Sequence, residues 1–267
     1  MHRTVTVWPL LALACAAAGT VVAQPVEPPA PAPVAEPAAA PAAPPPAPPA
    51  AAAAEMRPYE ASYSFVWRGM NAGSSSFALR QESAEEWSYV SSNQPRGLFR
   101  LFSAASLTLR SRMHVGPDGV RPLRFSAAQA DGSAPQADVQ FDWVANRATG
   151  IVEGTKIDMA LKAGVQDDLS VQIALIHALA AGQTPSGISV FDKKGIRDYG
   201  YARVGEETLH TPLGDVATLV YRSQRLYSPR STRFWCAPAY GFVPVRAEQQ
   251  RDGQVEWTMD LRALRRD

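Results

Sequence analysis

Residues 168–182 read DLSVQIALIHALAAG, and their texture differs from that of every stretch around them. Asp168 is a good helix N-cap, Gly182 a good C-terminal stop, and Pro185 follows shortly after, so one helix is expected over about 168–181. Only Ser170, Gln172 and His177 are polar after the cap. A helix that is apolar on nearly every side must be buried on nearly every side, so the remaining chain has to wrap around it.

The flanking sequence has a different period. Tyr59, Ala61, Tyr63, Phe65 and Trp67 alternate with Glu60, Ser62, Ser64 and Arg68, which marks a strand with one buried aromatic face. Phe77 and Leu79, Trp87 and Tyr89, Leu107 to Val115, Leu123 to Ala127, Val139 to Trp143 and Ile157 to Leu161 continue the alternation up to the helix. Beyond it come Ile188 to Phe191, Tyr199 to Val204, Glu206 to His210, Val216 to Arg222, Phe234-Trp235, Val243 to Ala247 and Val255 to Leu261. About a dozen short strands separated by Gly, Pro, Asn and Asp turns predict a mainly β fold. The expected architecture is a large antiparallel curled sheet, or open half-barrel, around the one helix.

The ends of the 267-residue chain read differently from this body. His2 and Arg3 precede an apolar run from Val5 to Ala18 and the small-residue ending Val21-Val22-Ala23, the layout of an export signal over residues 1–23. The run is also about the minimum length for a membrane span, so a retained inner-membrane anchor facing the periplasm is the alternative. Ahead of Cys15, Ala12-Leu13-Ala14 puts the large residue at the second place, where lipoprotein signals carry a small one after a leading Leu, so Cys15 reads as part of the apolar run. Pro25 to Ala54 holds twelve prolines, no aromatic residue and two charges, so residues 24–56 are expected to be a disordered, extended linker with a reach of about 90 Å. Residues 57–267 are left as a single β-rich domain.

That domain has 25 basic and 22 acidic residues, a balance too even to imply a nucleic-acid partner. Cys236 is its sole cysteine, which excludes a disulfide or Cys-rich metal scaffold, and a buried apolar role is expected for it. No Gly-x-Ser-x-Gly is present, and His114, His177 and His210 are not spaced as metal ligands. The sequence offers no catalytic, metal or cofactor-binding residue set. His177 reads as a histidine satisfied by a backbone partner, with a ligand contact or proton switch as the alternative. Asp167 and Asp168 are adjacent carboxylates, of which helix capping uses at least one.

Two segments stand out as candidate ligand or partner contacts. Leu98, Phe99 and Phe102, with Leu101, place apolar side chains where a loop or short helix is expected, either as a lid or as core closure. Arg225 and Arg230 flank Tyr227 in a turn between strands, a feasible contact for an anionic headgroup or a solvated loop.

Tyr199-Gly200-Tyr201-Ala202-Arg203-Val204-Gly205, Thr211-Pro212-Leu213-Gly214 and the strand to Tyr221 resemble the core signature of the exported bacterial domain-of-unknown-function family 3108. Phe234-Trp235-Cys236 followed by Pro244-Val245-Arg246 resembles that family's closing hairpin. Tyr59 to Tyr63, Gly119-Val120-Arg121-Pro122 and the Asp168 helix start are partial matches, so the likeness spans most of residues 57–264. It implies an exported β domain and no activity. The layout is more distantly similar to periplasmic lipoprotein carriers, whose half-barrels hold acyl chains. The function expected is non-enzymatic: a periplasmic protein binding a lipophilic or acylated ligand or an envelope partner such as a lipoprotein. The alternatives are a scaffolding module with a filled core and an envelope glycan-acting enzyme. Membrane contact is expected only if the signal is retained.

Overall fold

The computed structural model describes residues 56–266, apart from 98, 100–105, 131–134 and 193–194. The first half of the domain is a meander of eight strands: β1 (Tyr59–Trp67), β2 (Met70–Gln81), β3 (Glu86–Pro95), β4 (Leu107–Gly116), β5 (Gly119–Gln129), β6 (Ala137–Asp142), β7 (Arg147–Val152) and β8 (Thr155–Ala160). One helix follows, α1 (Ser170–Ala180). A second meander completes the chain: β9 (Gly187–Asp192), β10 (Gly195–Thr211), β11 (Gly214–Arg225), β12 (Arg230–Ala237), β13 (Val243–Arg251) and β14 (Gln254–Arg266), with a single 3-10 turn at Pro238–Tyr240.

All fourteen strands form one antiparallel sheet, ordered β8-β7-β6-β5-β4-β3-β2-β1-β14-β13-β12-β11-β10-β9. The first and last strands therefore meet at its centre, with Tyr59 opposite Arg266 and Trp67 opposite Trp257. The chain has to pass from one outer edge, β8, to the other, β9, and it does so through α1. That passage also draws the edges together. Gln166 pairs with Val190 of β9, and the Phe141 and Phe191 rings meet edge to face with centroids 5.7 Å apart. The sheet is thus curled but not closed by strand pairing, with α1 inside the curl. Among the described residues no helix is long and apolar enough to cross a membrane.

The burial of α1 follows from its composition. Val171, Ile173, Leu175, Ile176 and Leu179 are buried, Ile173 has no solvent exposure, and no residue of the helix is exposed. Each fully buried aliphatic side chain contributes roughly 1.5–3 kcal/mol. Around the helix, Tyr63 packs edge-on against Phe77, and Phe77 stacks on Tyr89 at 5.7 Å. The Tyr59 hydroxyl donates to Tyr89 Oη at 3.1 Å, and Tyr89 in turn donates to Gln172 Oε1 on the helix at 3.3 Å. Burial raises both phenol pKa values well above that of free tyrosine, so these groups stay protonated and the chain of hydroxyls keeps its donors.

Three details correct the sequence reading. The cap of α1 is Asp167, not Asp168: its Oδ1 accepts from the Leu169 and Ser170 amides at 2.8 Å, while its own amide donates to Ser170 Oγ at 2.8 Å. This reciprocal pairing resembles a capping box just ahead of α1, whose regular turns run from Ser170. The C-terminus agrees with expectation, since Gly182 takes φ +72° and the Gly182 and Gln183 amides return to Leu179 and Ala178. Second, β7 carries too weak an alternation to be seen, with Ala148 alone fully buried. Its Gly150 is required by close approach, because a Cβ there would lie 2.0 Å from the Asp138 carbonyl oxygen. Third, Tyr199 to His210 is one long strand, β10, with an irregularity between Arg203 and Gly205, rather than two strands.

Candidate functional site

The interior is filled by α1 along most of its length. Between the helix and β10, β12 and β13, beside Val171, Gln172, Leu175, Tyr201, Phe234 and Pro244, a gap of about 10 Å³ remains, too small for a ligand. One cavity of about 510 Å³ does persist, at the end of the curl where β1 begins, β14 ends and α1 reaches its last turn. It falls within the usual range for small-ligand sites.

Its walls follow from the strand pattern. Tyr59, Leu79 and Trp87 are inward-facing residues where β1, β2 and β3 begin or end, Val243 opens β13, and Ile176 and Ala180 come from the last turns of α1. The polar side chains collect around this apolar surface. Arg57 precedes β1, Arg266 closes β14, His177 projects from α1, and Gln81 ends β2; no carboxylate is among the lining residues. Arg266 lies over Gly241, where a Cβ would approach Nη2 to 2.6 Å and Cζ to 3.2 Å, so the bare glycine leaves room for the guanidinium. Burial and the adjacent Arg57 charge both lower the Arg266 pKa, although a guanidinium stays charged. His177 is half-buried, and burial lowers its pKa. Its ring has no hydrogen-bond partner among the described residues and faces the cavity, so the expected backbone partner is not what holds it.

The candidates drawn from the sequence lie at the opposite end, where the β1–β2, β11–β12 and β13–β14 turns gather, and none of those described lines the cavity. Phe99 is partly buried and packs edge-on to Trp67 at 5.9 Å, which is core closure. Leu98 and Phe102 lie outside the described residues. Tyr227 is 95% exposed at the tip of the β11–β12 turn, with Arg225 behind it. Arg230 is engaged by Glu256, with Nε 2.7 Å from a carboxylate oxygen in a largely buried pair. That hydrogen bond holds the Glu256 carboxyl below its ordinary pKa. Arg230 therefore already has its anion. Cys236 is fully buried, and burial pushes its thiol up to about 12, which disfavours the reactive thiolate.

The site and its scaffold can be placed among known proteins. A family model described as a protein of unknown function, DUF3108, matches residues 59–260, from the start of β1 through α1 and into β14. The chain belongs to the DUF3108 family. No curated protein matches it. The DUF3108 chain is similar in fold to a β-barrel-like protein of the domain of unknown function DUF1849 from Brucella abortus, at a TM-score of 0.52 and 10% identity over 80% of this chain and 99% of that one. A domain named for outer membrane lipoprotein sorting, from Vibrio parahaemolyticus, aligns over 80% of this chain and 88% of its own at 8% identity and a TM-score of 0.31.

Proposed function

We propose that this DUF3108 protein is a non-enzymatic envelope component that holds a lipophilic or acylated ligand in the cavity at the end of α1. The observation that carries the reading is the contrast between a tightly filled interior and one cavity of about 510 Å³ with an apolar wall. The reading of residues 1–23 as an export signal and 24–56 as an extended linker supports a periplasmic position for residues 57–267, either free or tethered at the inner membrane.

Native mass spectrometry of the full chain, purified from periplasm without detergent, tests the reading. A lipid-sized adduct is the expected result, and a bare polypeptide mass that also fails to take up added fatty acid overturns it. The filling of the rest of the curl by α1 favours the second reading, a scaffolding module that works through its surface.

A further inference from the structure

We infer that the cavity takes a single-chain amphiphile with an anionic head, its tail against Tyr59, Leu79, Trp87 and Ile176 and its head between Arg57 and Arg266. The inference rests on the lipid-binding reading and adds the chemistry of the ligand. A cavity of about 510 Å³ is on the scale of one small ligand and not of several.

The charge distribution selects the head. Several arginines of the sheet are matched with acids on other strands: Arg124 with Asp138, Arg147 with Asp158, Arg246 with Asp260, Arg230 with Glu256. Arg265 is matched as well, at 2.7 Å from Glu60. Arg266 is its neighbour on β14 and points to the other face of the strand, as the two-residue period dictates. There it meets Arg57 and no carboxylate among the described residues. Two like charges beside an apolar wall repel each other when the site is empty, and an anion between them turns that repulsion into paired, charge-assisted hydrogen bonds. Gly241 keeps the Arg266 guanidinium against the wall, and the unpartnered His177 ring and the Tyr59 end of the hydroxyl chain add neutral polar groups at the same cavity. A carboxylate and a phosphate monoester both meet these demands. A neutral head would leave both guanidinium groups unpaired, and a cationic head would be repelled.

The test is equilibrium binding of the full-length protein to three probes of equal tail length: dodecanoate, dodecyl phosphate and dodecanol. At least one anionic probe is expected to bind about tenfold more tightly than dodecanol, as one charge-assisted hydrogen bond at a half-exposed site contributes. The stronger of the two anions distinguishes a fatty acid from a phosphate-headed lipid as the source. In the Arg57→Gln/Arg266→Gln double variant the preference should vanish while dodecanol affinity stays, and the corresponding double Lys variant should restore most of it. Arg57 lies ahead of β1 and Arg266 is its last strand's final residue, so neither substitution touches the core. Equal affinity for all three probes in the wild type, or a preference that survives the double Gln variant, overturns the headgroup assignment and leaves the lipid reading standing. Failure of all three to bind overturns both.

Discussion

The two ends of the curled sheet handle the same residue types in opposite ways. At the turn-rich end, Arg230 is satisfied by a largely buried Glu256 and Phe99 by the edge of Trp67. At the other end, Arg57 and Arg266 meet no acid among the described residues, and Tyr59, Leu79 and Trp87, each almost wholly buried, form the floor of the cavity. A charge or an apolar face is available to a ligand only where the fold has not already supplied its partner. The turn-rich end is richer in conspicuous residues, and the cavity end is the better site.

The largest expected effect concerns the element that separates the filled interior from the cavity. Ile173→Ala, at a position with no exposure, should destabilise the fold by about 3–4 kcal/mol in a denaturant titration. A loss below about 1 kcal/mol would mean that the space around α1 collapses easily, and that the contrast between filled and open regions is weak.

Next comes the pair of arginines at opposite ends. Arg230→Ala strands the Glu256 carboxylate in a partly buried site and should cost about 2 kcal/mol, whereas Arg266→Ala removes a like-charge neighbour of Arg57 and should change stability by less than about 0.5 kcal/mol. Equal losses at the two positions would break the comparison outright.

The start of α1 provides a pH test. Asp168 Oδ1 is buried without a hydrogen-bond partner, and burial, with the charges of Asp167 and Asp192, raises the carboxyl to about 7. Between the ordinary 3.8 and about 7 the native state holds a proton that the unfolded chain has released, so this group costs stability as pH rises through that window. Asp168→Asn should therefore raise stability by up to about 4 kcal/mol at pH 8 and by almost nothing at pH 3. A gain independent of pH would show that packing, and not ionisation, is the cause.

The smallest effect belongs to the turn tip. Tyr227 is almost fully exposed and takes φ +58°, a backbone region that L residues other than Asn and Asp enter at some cost. Tyr227→Gly should be neutral or stabilising by up to about 0.5 kcal/mol, and a loss above 1 kcal/mol would mean that the ring has a partner it is worth searching for.

Much of this architecture was legible because it is written in local periods. Tyr59 to Trp67 alternate and form β1, and Leu169 to Ala181, apolar apart from Ser170, Gln172 and His177, contain the buried helix α1. Where the local signal was shared between two explanations, the reading went astray. Asp168 read as the cap although the adjacent Asp167 holds the helix amides. His177 looked like a satisfied core residue because its neighbours in sequence are apolar, whereas its neighbours in space are a cavity wall.

The sequence by itself determined the period-two strands, the buried helix and the matched composition of the body, because strand and helix periods are set by the chain's own geometry. It also determined the family, through residues that build turns and core. Only the tertiary structure brought the residues of the cavity together. Arg57 and Arg266 stand at opposite ends of the domain's sequence, and they share a cavity because β1 pairs with β14 at the centre of the sheet. That pairing is a long-range choice made by the whole curl, and no local pattern around either arginine carries it.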